Sequence, residues 1–530
     1  MGDHPGSKQS LNLVKCWLHD CLEKHRECSE LFTEDRPLPT RVIDVGGNEK
    51  EEAPILVETN GHSGQYITLS HRWAKASEMV KLESTSLEAF KKGLVYESLP
   101  KVFRDAILVT RLLGVRYIWI DSICILQDSL EDWKREAARM GFVYSNSILT
   151  IAATGADDSN EGCFLPRNAP ETQPVMLNYP IDSASEVGRI FLTPRRAKFD
   201  ESVSRGPLSR RGWVLQELIL SRRVLHYARE QMYWECQSVS KAEDGGTFKA
   251  HSRFKQLLSS HDPPGFSYTR PLQDRWYRLV EDYKSRLLTK DTDMLPALSG
   301  IASEFGKHVQ QKYLAGLWNL ELANGLLWHA RDSYLKQPST YRAPSWSWAA
   351  LNGPITYNLS SNLSNRKIVS AIDEQSIAVN IKSAHPFGSV EAGSLNLSGW
   401  IKKSTHSHTA VDRSETIMHE QDFSGPGLPS YTHFTTKSLT FCLHHLMDDT
   451  GEVIGWTVFD EADAVVKQEK FTCLRVSDNH NPQYKDRTVT YNILVLRPTK
   501  KKPNEYRRVG MGEIRQADWF DGMRENISII

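Results

Sequence analysis

The stretch from residue 66 to residue 154 constrains the fold of this chain more than any other. YITLS (66–70) is a short run of apolar and β-branched residues that ends abruptly in polar HRWAKAS, the pattern of a buried strand. LPKVFRDAILVTRLLG follows, with Val102, Phe103, Ala106, Ile107 and Leu113 on one helical face; Pro100 suits its first turn and Gly114 its end. VRYIWID (115–121) is a second buried strand. SLEDWKREAARMGFVYSNS is a helix with Ser129 as its N-cap and Trp133, Ala137, Met140 and Tyr144 as its stripe. ILTIAATG is a third strand. Strand, helix, strand, helix, strand predicts an α/β domain built on a parallel sheet.

The chain has 530 residues, too many for one core, so several domains are expected. An N-terminal helix (SLNLVKCWLHDCLEKHREC) and two short β-like pieces, RVIDV and PILVET, lead into the α/β region. A loop-rich insertion occupies 155–206, followed by a helix containing GWVLQE and a hairpin-like pair, RVLHYA and QMYWEC. Residues 237–266 are polar with Gly, Ser and Pro, and read as the start of a linker. Helices resume at RWYRLVEDYKSRLL and MLPALSGIASEFGKHV. SLNLSGWIKK, LTFCLHHL, VIGWTVFD and TVTYNILVLR then alternate with polar loops, which predicts an antiparallel β module. The expected divisions are 1–55 (N-terminal helix and lead-in), 56–236 (α/β domain), 237–385 (linker and helical region) and 386–530 (β-rich module).

Lys plus Arg equals Asp plus Glu, 65 each, so net charge gives no argument for nucleic acid or an anionic membrane. The basic run KKK (500–502) reads as a solvated tail. The N-terminus has no apolar segment of a signal peptide, and no apolar run approaches a membrane span. Eight cysteines spread over so long a chain fit reduced thiols in a cytosolic or nuclear protein, with a cytoplasmic one expected, where the Asn-x-Ser matches at Asn358, Asn362, Asn396 and Asn526 would go unmodified.

Ligands of open α/β sheets bind beyond the carboxyl ends of the strands. There the sequence offers Ser70, His71, Arg72 and Trp73 after one strand and Asp121 after the next. A hydroxyl, a guanidinium for phosphate, an aromatic face and a carboxylate for sugar hydroxyls suit a nucleotide. The competing reading is that strand ends are generally polar and that His71 or Asp121 caps a turn. Glu217 sits on a short helix of mostly apolar residues, four positions after Trp213. It is either a solvated acid pairing with Arg210, Arg211 or Arg222, or a desolvated one with a raised pKa. Cys124 lies in an apolar stretch and reads as a buried thiol. Cys16, Cys21, His25 and Cys28 invite a zinc reading, but they lack two separated ligand pairs, so buried thiols are expected and no metal site is assigned. No Walker loop, Gly-x-Ser-x-Gly elbow, His-Glu-x-x-His or Gly-x-Gly-x-x-Gly occurs.

YITLSHRWA, RYIWIDSICILQDSLEDWKREAARMGFVYSNSILTIAATG and RRGWVLQELILSRRVLHY resemble, in order and aromatic placement, the three blocks of the fungal heterokaryon incompatibility (HET) domain, over roughly 62–228. WLHDCLEKHREC, RLVEDYKSRLLTKDTDMLPALSGIA and YRAPSWSWAAL resemble flanks common in such proteins. The family's Ser-Tyr-x-Trp-Gly start is here Ser70-His71-Arg72-Trp73-Ala74, without the glycine. The resemblance implies a fungal cytoplasmic protein of non-self recognition and programmed cell death. HET domains are in turn similar to TIR domains: LSHR resembles the TIR first-strand motif, and WVLQEL the helix that carries the TIR catalytic glutamate. The two motifs stand farther apart here because of the 155–206 insertion. What this implies is a TIR/flavodoxin-like fold and an NAD nucleosidase, with NAD as substrate and no resident cofactor. Glu217 would be catalytic, Arg72 would bind phosphate, Trp73 or Trp213 would stack a ring, and Ser70, His71 and Asp121 would complete the pocket. The alternative is a non-catalytic signalling module that acts by self-association, with Glu217 structural. A homo-oligomer and a protein partner of the C-terminal module are the expected contacts.

Overall fold

The computed structural model describes residues 4–29, 36–47, 52–167, 175–180, 187–192, 198–248, 272–319, 322–357, 366–372, 377–382, 385–407, 443–466, 470–480, 489–516 and 518–530. It divides into two compact units, Met1–Pro264 and Gly265–Ile530.

The first unit contains strands β1 (Arg41–Asp44), β2 (Ile55–Glu58), β3 (Tyr66–Ser70), β4 (Tyr117–Ile120), β5 (Leu149–Ala152), β6 (Val175–Pro180), β7 (Val187–Leu192), β8 (Arg223–Tyr227), β9 (Met232–Cys236) and β10 (Ser240–Ala242). Its helices are α1 (Lys8–Lys24), α2 (Arg26–Ser29), α3 (Leu87–Lys92), α4 (Lys101–Leu112), α5 (Asp121–Cys124), α6 (Leu130–Asn146) and α7 (Gly212–Leu220). Eight strands form one sheet in the order β10-β9-β8-β5-β3-β4-β1-β2. The four central strands β8, β5, β3 and β4 are parallel. The outer ones pair antiparallel. The sheet is therefore mixed, where the sequence predicted a parallel one. The links within β1–β2 and β8–β9–β10 are too short for a crossover, and a short link forces an antiparallel pair. β10 falls in the stretch read as the start of a linker. The region read as a loop-rich insertion holds the separate β6–β7 hairpin.

Burial follows from the central position of the parallel strands. Every residue of β3, β5 and β8 is buried, as expected when both faces of a parallel sheet are covered. α4 turns Val102, Phe103, Ala106, Ile107 and Val109 inward. Each large side chain among these contributes roughly 1.5–3 kcal/mol. Ser129 caps α6 as expected, accepting from the Asp132 amide at 3.3 Å. Thr68, on β3, has no solvent to bond. Its hydroxyl meets Thr150 Oγ1 at 2.7 Å, Thr150 meets Ser221 Oγ at 2.5 Å, and Ser221 Oγ lies 2.5 Å from the Glu217 carbonyl oxygen to which it donates. This buried hydroxyl seam fastens the last turn of α7 to the sheet.

The second unit carries helices Leu272–Lys284 and Pro296–Val309 and a β-barrel. Its WSW segment is anchored at one carbonyl: the indoles of Trp276 and Trp348 both donate to Gly316 O at 2.9 Å. Gly316 has φ +101°, and a Cβ there would lie 2.6 Å from Trp348 Cε2, so the close approach requires glycine. Strands Ile401–His406, Leu443–Met447, Val453–Phe459, Glu505–Ile514, Val489–Pro498 and Phe471–His480 pair antiparallel in a closed ring. Phe459, Phe471, Ile493, Val495 and Ile514 belong to its core. Arg508 is completely buried; it lies 3.3 Å over the Trp328 ring and pairs with Asp460 at 3.1 Å. The antiparallel expectation holds for this ring. The Lys500–Lys502 run does not form a tail: it lies in the exposed turn between Val489–Pro498 and Glu505–Ile514. Residues 408–442, read as a polar loop running into a strand, lie outside the described residues. Among the described residues no helix is long and apolar enough to cross a membrane.

Candidate functional site

Ser70 is the last residue of β3, and Asp121 follows β4 directly. Because β3 and β4 are adjacent and parallel, both emerge at the same edge of the sheet. α7 brings Glu217 to that edge. Ser70 Oγ donates to Glu217 Oε2 at 2.5 Å. The Tyr144 hydroxyl, from the last turns of α6, donates to the Leu69 carbonyl at 3.4 Å and stands close enough to the same carboxyl group to favour its charged form. Glu217 is 2 % exposed, so the reading of a solvated helix acid is overturned. α7 is buried on nearly every side because it lies on the sheet under α6, a placement that helical periodicity does not reveal.

Desolvation pushes Glu217 up from its ordinary 4.5 to about 7. Asp121 adds to the rise, while Arg211, Ser70 and Tyr144 oppose it. Near neutral pH this acid exists in both protonation states, as general acid–base chemistry requires, and its ionised form can stabilise positive charge.

Asp121 is held from two sides. Trp73 Nε1 donates to Asp121 Oδ2 at 2.9 Å, and the Ser122 amide donates to Asp121 Oδ1 at 2.7 Å. Asp121 is the first residue of α5, whose N-cap position, Ile120, makes no side-chain cap bond, so the helix-capping reading of Asp121 does not hold. His71 Nδ1 lies 3.8 Å from Asp121 Oδ1, and the His71 ring meets Phe103 edge-on at 5.0 Å. Burial depresses His71 to about 4, so it is neutral at physiological pH. Its Nε2 is buried with no hydrogen-bond partner among the described residues.

Ser70, His71, Trp73, Asp121 and Glu217 thus share one edge. Arg72 directs its guanidinium to Asp157 at 3.5 Å, and Trp213 meets Trp133 edge-on at 6.3 Å. Two further residues join the edge. Arg211, at the N-cap position of α7, donates to the His71 carbonyl and lies 5.8 Å from the centre of the Trp73 ring. Sequence reading named Arg211 only as a salt-bridge partner and Tyr144 only as part of a helix stripe. The position of Arg211 immediately before an apolar helix was the available signal.

Cys124 is a buried thiol, pushed up to about 12 by desolvation. Of the four residues read together as a zinc candidate, Cys16 is exposed. Cys236, from β9, instead joins Cys21, His25 and Cys28.

A family model, heterokaryon incompatibility protein (HET), matches residues 66–217. Its bounds run from the first residue of β3 to Glu217 itself. Comparisons with curated proteins and with solved structures give no match. The β3–α7 segment that builds this edge is a heterokaryon incompatibility (HET) domain, and its function is related to heterokaryon incompatibility.

Proposed function

We propose that the chain is an effector of non-self-triggered programmed cell death that hydrolyses NAD at the nicotinamide–ribose bond, with Glu217 as the catalytic carboxylate. The observation that carries this reading is the meeting of Ser70, Asp121 and Glu217 at the carboxyl ends of adjacent parallel strands, with the Glu217 acid near 7. The strand order supports it: taken along the chain, β4-β3-β5-β8 runs 2-1-3-4, the start of a flavodoxin-like doubly wound sheet. The resemblance to TIR domains points to the same glutamate.

In the reaction the C–N bond breaks, nicotinamide leaves with the bonding electron pair, water adds to the anomeric carbon, and a proton is released. Positive charge develops on the ribose, as in glycoside cleavage. The Glu217 carboxylate would hold ribose hydroxyls and stabilise that charge. Arg211 is the guanidinium on that edge for phosphate and Trp73 its ring for stacking; Arg72, paired with Asp157, and Trp213, against Trp133, would turn from those partners to join them. Ser70 and Asp121 shape the pocket beside neutral His71. The C-terminal barrel serves recognition or inhibition, and a homo-oligomer completes the active form.

The enclosure of Glu217, 2 % exposed and bonded to Ser70, favours a second reading: a signalling module that self-associates, with Glu217 structural. One experiment separates the two. Purified protein, dilute and concentrated, is incubated with NAD and assayed for released nicotinamide. The first reading expects release by the wild type and none by a folded Glu217→Gln variant. Absence of release by the wild type at both concentrations leaves the signalling module; equal release by the variant removes Glu217 from the chemistry.

A further inference from the structure

Cys21 lies in the last turn of α1, and His25 is the residue at which that helix stops, with φ −101° and ψ 97°. The break turns α2 back so that Cys28 comes alongside them. Cys236, the last residue of β9, arrives from the far side of the sequence. The four ligand atoms lie within 4.8 Å of one another, with Cys236 Sγ 3.4 Å from His25 Nδ1. Tetrahedral zinc, with Zn–S about 2.3 Å and Zn–N about 2.0 Å, sets its ligand atoms roughly 3.5–3.8 Å apart. A small contraction of this cluster reaches that geometry.

We propose that Cys21, His25, Cys28 and Cys236 bind one structural zinc ion. The three cysteines are fully buried, and four protein ligands leave no open coordination position, the arrangement of a structural site. Thiolate and imidazole in a tetrahedral set select zinc over harder divalent ions.

Two of the three sulfurs accept hydrogen bonds from the protein. Arg223 Nε donates to Cys21 Sγ at 3.1 Å, and the Val239 amide donates to Cys236 Sγ at 3.4 Å. Ser238 Oγ lies 3.7 Å from Cys28 Sγ. Arg223 is itself 0 % exposed and also donates to the Cys28 carbonyl at 2.9 Å and the Ile148 carbonyl at 3.2 Å. Three thiolates and a dication leave one net negative charge, which the Arg223 guanidinium balances. Outer contacts of this kind fix the ligands and tune the metal. A disulfide between any two of the thiols would leave the third thiol and His25 without a role.

The ion would clasp the α1–α2 segment to β9, where Trp17 already meets Trp234 at 6.3 Å. Binding deprotonates the three thiols, and the released protons go to solvent.

The full-length protein, purified under reducing conditions with Zn2+ and dialysed against EDTA, is assayed for metal by mass spectrometry. About one zinc per chain is expected for the wild type and for Cys16→Ser, and less than about one tenth for Cys236→Ser and Cys21→Ser. Exchange of the wild type with Co2+ is expected to give tetrahedral d–d bands and thiolate charge-transfer absorption, a readout that needs no variant to fold. A metal-free wild type, an octahedral cobalt spectrum, equal zinc loss in Cys16→Ser, or a disulfide among these thiols in freshly reduced protein would each overturn the proposal.

Discussion

Glu217→Gln has an effect on stability that is separate from any effect on activity, and its sign depends on pH. The carboxyl titrates at about 7 in the folded chain against an ordinary 4.5. Below 4.5 it is protonated in both states and costs nothing. Between those values the unfolded chain releases the proton while the folded chain keeps it, so stability falls as pH rises. Above about 7 both are ionised and the loss is complete. At about 1.4 kcal/mol per pH unit, the gap amounts to about 1 kcal/mol near pH 5.5 and about 3 kcal/mol near pH 8.5. Glutamine keeps an acceptor for Ser70 Oγ and carries no charge at any pH. The variant is therefore expected to be more stable than the wild type, with the difference growing by about 2 kcal/mol from pH 5.5 to pH 8.5. Urea unfolding followed by tryptophan fluorescence at both pH values measures it. A difference that stays constant with pH refutes the raised carboxyl. A variant less stable than the wild type at pH 8.5 refutes the view that burial outweighs the Ser70 hydrogen bond and the other groups that favour the charged carboxylate.

Ser70→Ala removes a hydrogen bond that favours the carboxylate, so Glu217 moves further above 7, and the midpoint of that same pH-dependent stability difference shifts to the alkaline side. Arg508→Met leaves Asp460, already pushed up to about 6 by burial, without its buried partner. A loss of about 3–5 kcal/mol is expected at pH 8 by urea unfolding, shrinking as the pH falls and Asp460 takes up a proton; a loss independent of pH would count against an ionised pair.

Much of the central sheet was legible. β3, β4 and β5 read as apolar runs because both their faces are buried, and α4 and α6 showed ordinary amphipathic stripes. The outer antiparallel strands β1, β2 and β9 were visible as segments, whereas β10 lay in a polar stretch read as linker, and pairing direction depends on link length and not on residue pattern. The barrel strand Glu505–Ile514 went unread because EYRRVGMGEI has two glycines and two arginines. Those glycines are there for contact: a Cβ at Gly510 would lie 2.6 Å from the Val458 carbonyl oxygen, and one at Gly512 would lie 2.2 Å from that of Trp456. At the site, Ser70, Asp121 and Glu217 could be named from strand ends and resemblance. The burial of Glu217 could not, because it depends on α6 and β3 closing over α7. Cys236 was beyond reach for the same reason: its three companions lie more than 200 residues earlier in the chain.

The flanking strands of the first sheet have a consequence for assembly. A parallel core ending at β4 and β8 would present two rows of unsatisfied amides and carbonyls, a template for another chain. Here those rows are covered by β1 and β9, and the outermost strands, β2 and β10, are four and three residues long. β10 is further closed by a bridge between Lys241 and Thr247. So little backbone remains on this eight-stranded sheet for cross-chain strand addition that an assembly through it would rest on side chains of the helices and loops around it; the separate β6–β7 hairpin keeps its own strand edges. Specificity in such an assembly would lie in surface residues that can change one at a time without disturbing the sheet.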